Sequence, residues 1–352
     1  MDQTFAISGK DRAMCVINDV CIIIPIYNCE NYIQNCIKSV CDQTYKNISI
    51  IIVDDGSTDQ TGIICDKYAE LDDRIKVIHK KNEGLVRARK TAVKNTNSKY
   101  LYFLDGDDWI ENDAIEKMLQ DMINCDADVV IDNIVLEYPK NKVLKSWPIS
   151  SGIYNQMEFL PRYIYSDNFF SFGAPINIVG KLYKREKYKE YQERVEDCIK
   201  IGEDVAVTLP YIHNSQRIVF RAERYSYHYR QISESMVHSC NNPDREKESQ
   251  ILFNILDSEF KEKFLNGRLG YYYFSMLIGL FKNESKLYVS FSDFRERIDE
   301  ILESKYYADI TDVINWKSLG FKYRILYWLV RYKNSGLIAL YVRIGSKLSN
   351  VG

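Results

Sequence analysis

The sequence predicts an α/β protein built on a central, mostly parallel sheet, and three observations carry that expectation. Apolar runs alternate with stretches of three- and four-residue apolar spacing from residue 20 to residue 123, the order in which strand, helix and strand wind into right-handed parallel units. The runs are continuous, as in strands covered on both faces. Each is followed by a polar, turn-forming cluster, and open α/β sheets take their ligands beyond the carboxyl ends of their strands.

Val20-Cys21-Ile22-Ile23-Ile24-Pro25 reads as the first buried strand, closed by Tyr27-Asn28. Ile33, Cys36, Ile37 and Val40 then mark one face of a helix with Asn28 as its candidate cap. Ile48-Ser49-Ile50-Ile51-Ile52-Val53 is the second strand, closed by Asp54-Asp55-Gly56-Ser57. Ser57-Thr58-Asp59-Gln60 fits a capping box, with Ile63, Ile64 and Tyr68 as the apolar face of the helix it opens. Arg74-Ile75-Lys76-Val77-Ile78 is a short third strand, residues 85–93 a third helix, and Tyr100-Leu101-Tyr102-Phe103-Leu104 a fourth strand. Beyond its end stands Asp105-Gly106-Asp107-Asp108. Hard oxygen ligands of this kind suit Mg²⁺ or Mn²⁺, which completes its shell with water and substrate phosphates. Residues 112–123 carry Ile115, Met118, Leu119 and Met122 at helical spacing.

Four motifs in this order, Pro25-Ile26-Tyr27-Asn28, Val53-Asp54-Asp55-Gly56-Ser57-Thr58-Asp59, Asn82-Glu83-Gly84-Leu85 through Arg89, and Asp105-Gly106-Asp107-Asp108, resemble the family 2 glycosyltransferases. The resemblance is strong over residues 20–135 and weaker to about 238. It implies the GT-A, or nucleotide-diphospho-sugar transferase, fold: a mixed, mostly parallel sheet flanked by helices, here followed by a helical C-terminal region. It also implies a site. Tyr27 would lie against the nucleotide base and Asp55 would bond the base or ribose, with Pro25, Asn28 and Asp54 in the same donor-binding set. Asp105 would reach the ribose or a metal-bound water, Asp107 would bind the cation, and Asp108 would stand behind them. Arg89 and Arg230 would answer the diphosphate charge, and His228 would complete the metal shell. The family's Gly-Leu-Ser-Ala-Ala-Arg-Asn reads Gly84-Leu85-Val86-Arg87-Ala88-Arg89-Lys90 here, so Arg89 keeps its position while Lys90 replaces the asparagine.

A transferase also needs a base. Gly202-Glu203-Asp204 precedes a helical pattern of Val205, Leu209 and Ile212 and resembles the family's Glu-Asp element, which makes Asp204 the candidate general base of an inverting displacement with Glu203 beside it. The expected activity is transfer of a sugar from a nucleoside diphosphate donor, UDP-linked on this resemblance, to a hydroxyl of a polysaccharide or lipid-linked glycan, with Mn²⁺ or Mg²⁺. Two alternatives stand beside it. A sugar nucleotidyltransferase would show a glycine-rich, basic phosphate loop, absent near residue 25. An inactive nucleotide-sugar-binding subunit would not need both Asp107 and Asp204.

With 352 residues and 46% hydrophobic content the chain buries a substantial core, and 47 basic against 49 acidic side chains give no global pull toward nucleic acid. Nine cysteines without a Cys-x-x-Cys pair fit a reducing compartment. Lys10, Asp11 and Arg12 interrupt the N-terminus, and the longest uncharged runs, 168–180 and 269–281, fall short of the roughly 20 residues that span a bilayer. A cytoplasmic protein is expected. From residue 317 onward stand seven cations and no acid, interleaved with apolar side chains. That pattern suits peripheral attachment to the inner face of a membrane, and equally a terminal helical pair packed on the protein. The expected divisions are a leader over 1–18, a nucleotide-sugar-binding half over 19–135, an acceptor half with the base over 136–238, and a helical region over 239–352. Phe169, Phe170 and Phe172 are candidates for an acceptor surface or for core.

Overall fold

The computed structural model describes residues 19–164, 176–231, 242–260, 263–307 and 310–349. The expected leader, Phe169, Phe170 and Phe172 lie outside these residues. The first part of the chain alternates strictly: β1 (Val20–Ile26), α1 (Ile33–Cys41), β2 (Ile48–Asp54), α2 (Thr61–Ala69), β3 (Ile75–His79), α3 (Leu85–Lys94) and β4 (Tyr100–Phe103). Every residue of β1 is buried, which is why its run must be apolar throughout. Helix α1 covers the sheet with Ile33, Cys36, Ile37 and Val40, the spacing visible in the sequence.

The middle of the chain follows as β5 (Trp109–Ile110), α4 (Ala114–Asn124), β6 (Val129–Glu137), β7 (Lys142–Lys145), β8 (Gly152–Tyr154), α5 (Gln156–Ile164), β9 (Lys181–Lys184), α6 (Arg185–Arg194), α7 (Glu203–His213) and β10 (Ile218–Arg230). The strands form one sheet in the order β3-β2-β1-β4-β9-β6-β10-β5, with β7 on β6 and β8 on β10. The first four strands are parallel. β9 runs antiparallel to both β4 and β6 and joins the two parts of the sheet, and β10 is parallel to β6 but antiparallel to β5 and β8. Register pairs Ile26 with Asp54 and Asp54 with His79, so the carboxyl ends of β1, β2 and β3 share one edge.

Three local expectations give way to long-range partners. No capping box forms: α2 starts at Thr61 without a side-chain cap. Instead Ser57 Oγ accepts the Asn28 amide at 3.0 Å, Asn28 Oδ1 accepts the Thr58 amide at 2.8 Å, and Thr61 Oγ1 accepts the Cys29 amide at 2.8 Å. Asn28 therefore does not cap α1, which begins at Ile33; it laces the β1 and β2 loops together from a left-handed backbone at φ 46°. Ile63 points outward, while Ile64 and Tyr68 pack half-buried against the core beside the buried Thr61 and Cys65.

Helices α8 (Arg245–Glu259), α9 (Lys263–Leu287), α10 (Phe291–Glu303), α11 (Phe321–Arg331) and α12 (Ser335–Ser349) complete the chain. Their buried residues, among them Leu252, Leu256, Leu277, Phe281, Phe294 and Ile338, continue the same apolar core as the sheet. Among the described residues no helix is long and apolar enough to cross a membrane, and the described cysteines are free thiols.

Candidate active site

The Asp105-Gly106-Asp107-Asp108 turn is pressed against the end of β1. A Cβ on Gly106 would stand 2.8 Å from Ile26 Cγ2 and 3.0 Å from Cys29 Sγ, so only glycine lets the turn approach. The turn is held from β10: Tyr227 donates its hydroxyl to Asp108 Oδ2 at 2.6 Å and accepts the Asp105 amide at 3.3 Å, while the Arg230 amide donates to Asp108 Oδ1 at 2.7 Å. Arg230 also donates from Nε to the Asp107 carbonyl at 2.8 Å, and its guanidinium lies over the rings of Tyr32 and Trp109 at 5.1 and 4.6 Å. Burial, reinforced by Asp107 and Asp105, raises Asp108 well above the usual carboxylate range. Burial also raises Asp107, with Arg230 acting against it.

Arg89 lies on the inner face of α3 beside Val86, Ala88, Ala92 and Val93, and only 3% of its side chain is exposed. Its Nη1 donates to Asp204 Oδ1 at 2.6 Å and lies 3.4 Å from Glu203 Oε1, while Nη2 is 3.5 Å from Asp105 Oδ1. The fold thus brings four sequence-predicted residues, Arg89, Asp105, Glu203 and Asp204, onto one charge cluster. Glu203 and Asp204 open α7, whose positive end favours carboxylates. Gly202 makes that start possible with φ +91°. Asp204 Oδ2 accepts the Ile178 amide at 3.2 Å. Burial, then the field of Asp204, pushes Glu203 up to about 8. Burial raises Asp105 to about 6 even though Arg89 opposes it. Burial also works against the Arg89 charge, but Asp204, Asp105 and Glu203 outweigh it and hold the guanidinium above its ordinary value.

Other expected site residues have different occupations. Arg89, expected near the diphosphate, is paired with Asp105, Glu203 and Asp204. Asp54 is buried at the end of β2; it accepts the Ser57 amide at 2.9 Å and meets His79 Nδ1 at 2.9 Å. Asp55 accepts the Glu83 and Gly84 amides at 3.0 and 2.7 Å and Lys80 Nζ at 2.9 Å, tying the β2 turn to the Asn82-Glu83-Gly84 loop. Gly56 permits that approach, since a Cβ there would meet the Asn82 nitrogen at 2.7 Å. His228 meets two carboxylates: Nδ1 is 2.8 Å from Glu137 Oε1 and Nε2 is 2.9 Å from Glu111 Oε1, and the ring stacks on Trp109. Pro25 is buried in β1 opposite Val53, and Tyr27 stands just past the strand with 51% of its surface exposed.

Two contributors were missed. Tyr227 is the prop of the acidic turn. Lys181, fully buried at the start of β9, donates to the Asn177 and Val179 carbonyls at 2.6 and 3.2 Å and so fixes the turn whose Ile178 amide holds Asp204. Burial pulls its ammonium down to about 7, with Asp204 acting the other way. Its signal was a lone cation in the apolar run Ile178-Val179-Gly180-Lys181-Leu182-Tyr183.

Residues 21–191 match the model of glycosyl transferase family 2. Glycosyltransferase GlyA of Streptococcus pneumoniae serotype 4 is 33% identical over 230 residues, covering 64% of this chain and 32% of that protein. Putative glycosyltransferase EpsH of Bacillus subtilis is 41% identical over 119 residues, 34% of each. The matched region spans about a third of the length of either relative. Among solved structures, S. aureus TarS 1–349 aligns with a TM-score of 0.68 at 18% identity over 94% of this chain and 91% of that one. The complex of TarS 1–349 with UDP-GlcNAc gives the same score over 94% and 92%. The fold is GT-A, an α/β fold with a mixed sheet flanked by helices and a helical C-terminal region.

Proposed function

We propose that the chain is an inverting glycosyltransferase that moves a sugar from a UDP-sugar donor to a hydroxyl of a glycan or lipid-linked glycan. The observation that carries this reading is the meeting of Asp105, Glu203 and Asp204 on the buried Arg89 guanidinium, beside the acidic turn at the strand ends. Asp204 takes the acceptor proton as the hydroxyl attacks the anomeric carbon from the face opposite the leaving diphosphate. Arg89 and the Ile178 amide fix the orientation of its carboxylate. Glu203, pushed up to about 8 by burial and then by the field of Asp204, stands beside it. Tyr27, exposed past β1, receives the base, and Asp54, Asp55 and Asn28 contribute by bracing the loops around it. The UDP-GlcNAc complex of TarS supports a uridine nucleotide as donor.

The chemistry of the acidic turn fits a divalent cation. The Asp107 carboxylate is desolvated and has no ion-pair partner among the described residues, and one or two carboxylates suffice for Mg²⁺ or Mn²⁺ when donor phosphates supply the other ligands. Such an ion supplies neutralisation of the departing diphosphate. Asp107 with Asp105 would hold it, and Arg230, clamped between Tyr32 and Trp109, adds a fixed positive charge beside them. Among the described residues no three ligating side chains are preassembled, so affinity for the metal depends on the donor.

A thermal-shift panel of UDP, GDP and CDP with and without Mn²⁺ tests the binding step. UDP with Mn²⁺ is expected to raise the melting temperature most; no shift with any nucleotide overturns the reading. Asp204→Asn is expected to keep the UDP shift while transfer falls by about 10²–10⁴-fold. Unchanged turnover removes Asp204 from the mechanism, and absence of turnover in the parent chain favours a binding subunit.

A further inference from the structure

We infer that the hairpin of α11 and α12 is a docking surface for an anionic lipid bilayer. Each helix carries two apolar faces. α11 buries Leu326, Tyr327 and Val330 against the protein, while Phe321, Ile325 and Tyr332 are 79%, 39% and 74% exposed. With Trp328 these residues recur at spacings of four, three and four, which places them along one stripe opposite the buried face. α12 does the same: Ile338, Ala339 and Val342 are buried, and Leu337, Leu340 and Ile344 are about half exposed on the other side. Tyr341 donates its hydroxyl to the Lys322 carbonyl at 2.9 Å, so the middle of α12 lies beside the start of α11 and the two outward stripes adjoin.

A helix at the surface of a soluble domain opposes its buried face with polar residues; here the outward side is apolar and only the flanks are charged. Lys322 lies on one flank of the α11 stripe, Arg324 and Arg331 on the other, and Lys333 in the turn between the helices, all exposed. Residues 317–352 contain no acid. Arg331 pairs with Asp312, so the net positive charge is greatest at the Lys322–Arg324 end. Apolar tips with an aromatic belt and cationic flanks match the boundary between acyl chains and anionic headgroups, where the rings of Phe321, Trp328 and Tyr332 would sit at headgroup depth. A symmetric second copy fits less well, because a two-fold contact through this face would set like-charged flanks against each other.

Flotation of the full chain with vesicles of phosphatidylcholine alone, and of phosphatidylcholine with phosphatidylglycerol, at low and high salt, tests the inference. The expected result is binding to the anionic vesicles that weakens with salt. Phe321→Ser together with Leu340→Ser is expected to lower partitioning by about a hundredfold, a decade for each side chain, and Lys322→Gln to weaken it severalfold at low salt only. Both substitutions lie at exposed positions, and an unchanged melting temperature and UDP-induced shift confirm that the variants are folded. No vesicle binding by the parent chain overturns the inference, as does binding that the double substitution leaves intact, or a dimer in solution that the double substitution dissolves. The flotation contains no nucleotide, so its failure leaves the donor reading untouched.

Discussion

Arg89 meets Asp105, Glu203 and Asp204 in a water-poor setting, where removing one partner costs more than the pair itself contributes. Arg89→Ala leaves three carboxylates in one another's field. It is expected to destabilise the chain by about 3–5 kcal/mol, measured by urea unfolding, and to abolish transfer. Glu203 gives this cluster a pH dependence. Its folded pKa, near 8, lies above the ordinary glutamate value, so between those values the native state binds more protons than the unfolded chain and stability falls as pH rises. The part of the stability that Glu203 contributes is complete below its unfolded pKa and lost as pH passes through about 8. Melting temperatures measured from pH 5 to pH 8 are expected to fall less steeply in Glu203→Gln than in the parent chain.

β10 supplies the support that the motifs at the other strand ends do not provide. Tyr227→Phe removes the hydroxyl shared by Asp108 and the Asp105 amide, with an expected loss of about 1–3 kcal/mol and a smaller Mn²⁺-dependent shift with UDP. The parallel half was legible because doubly covered strands need unbroken apolar runs and because each ends in a turn-forming cluster. The capping box was misread for a physical reason: Ser57 and Asn28 find hydrogen-bond partners about thirty positions apart, which a four-residue pattern does not reveal. Sequence showed Arg89 as a cation near anions, but its pairing with Glu203 and Asp204 follows from where α7 lands. His228 looked like a ligand by residue type, and its pairing with Glu111 and Glu137 depends on β5 lying antiparallel to β10.

Across the whole molecule, the helical region props the candidate base. A Cβ on Gly202 would stand 2.4 Å from Leu252 Cδ2, so α8 abuts the first turn of α7. Leu252 is fully buried. Leu252→Ala is expected to cost about 2–5 kcal/mol through the cavity it leaves and to lower kcat more than it raises KM for the donor, since it loosens Asp204 and not the acidic turn. Initial rates over a range of UDP-sugar concentrations check that split. The Arg89–Asp204 bond joins positions 115 residues apart, and β9, which lies between them in the chain, stitches the sheet together. The pocket therefore has no local precursor. A nascent chain emerging from the ribosome displays the motifs at the ends of β1 to β4 long before α7 arrives, and until then the guanidinium on α3 lacks two of its three carboxyl partners; the cluster assembles only after synthesis has passed the acidic pair.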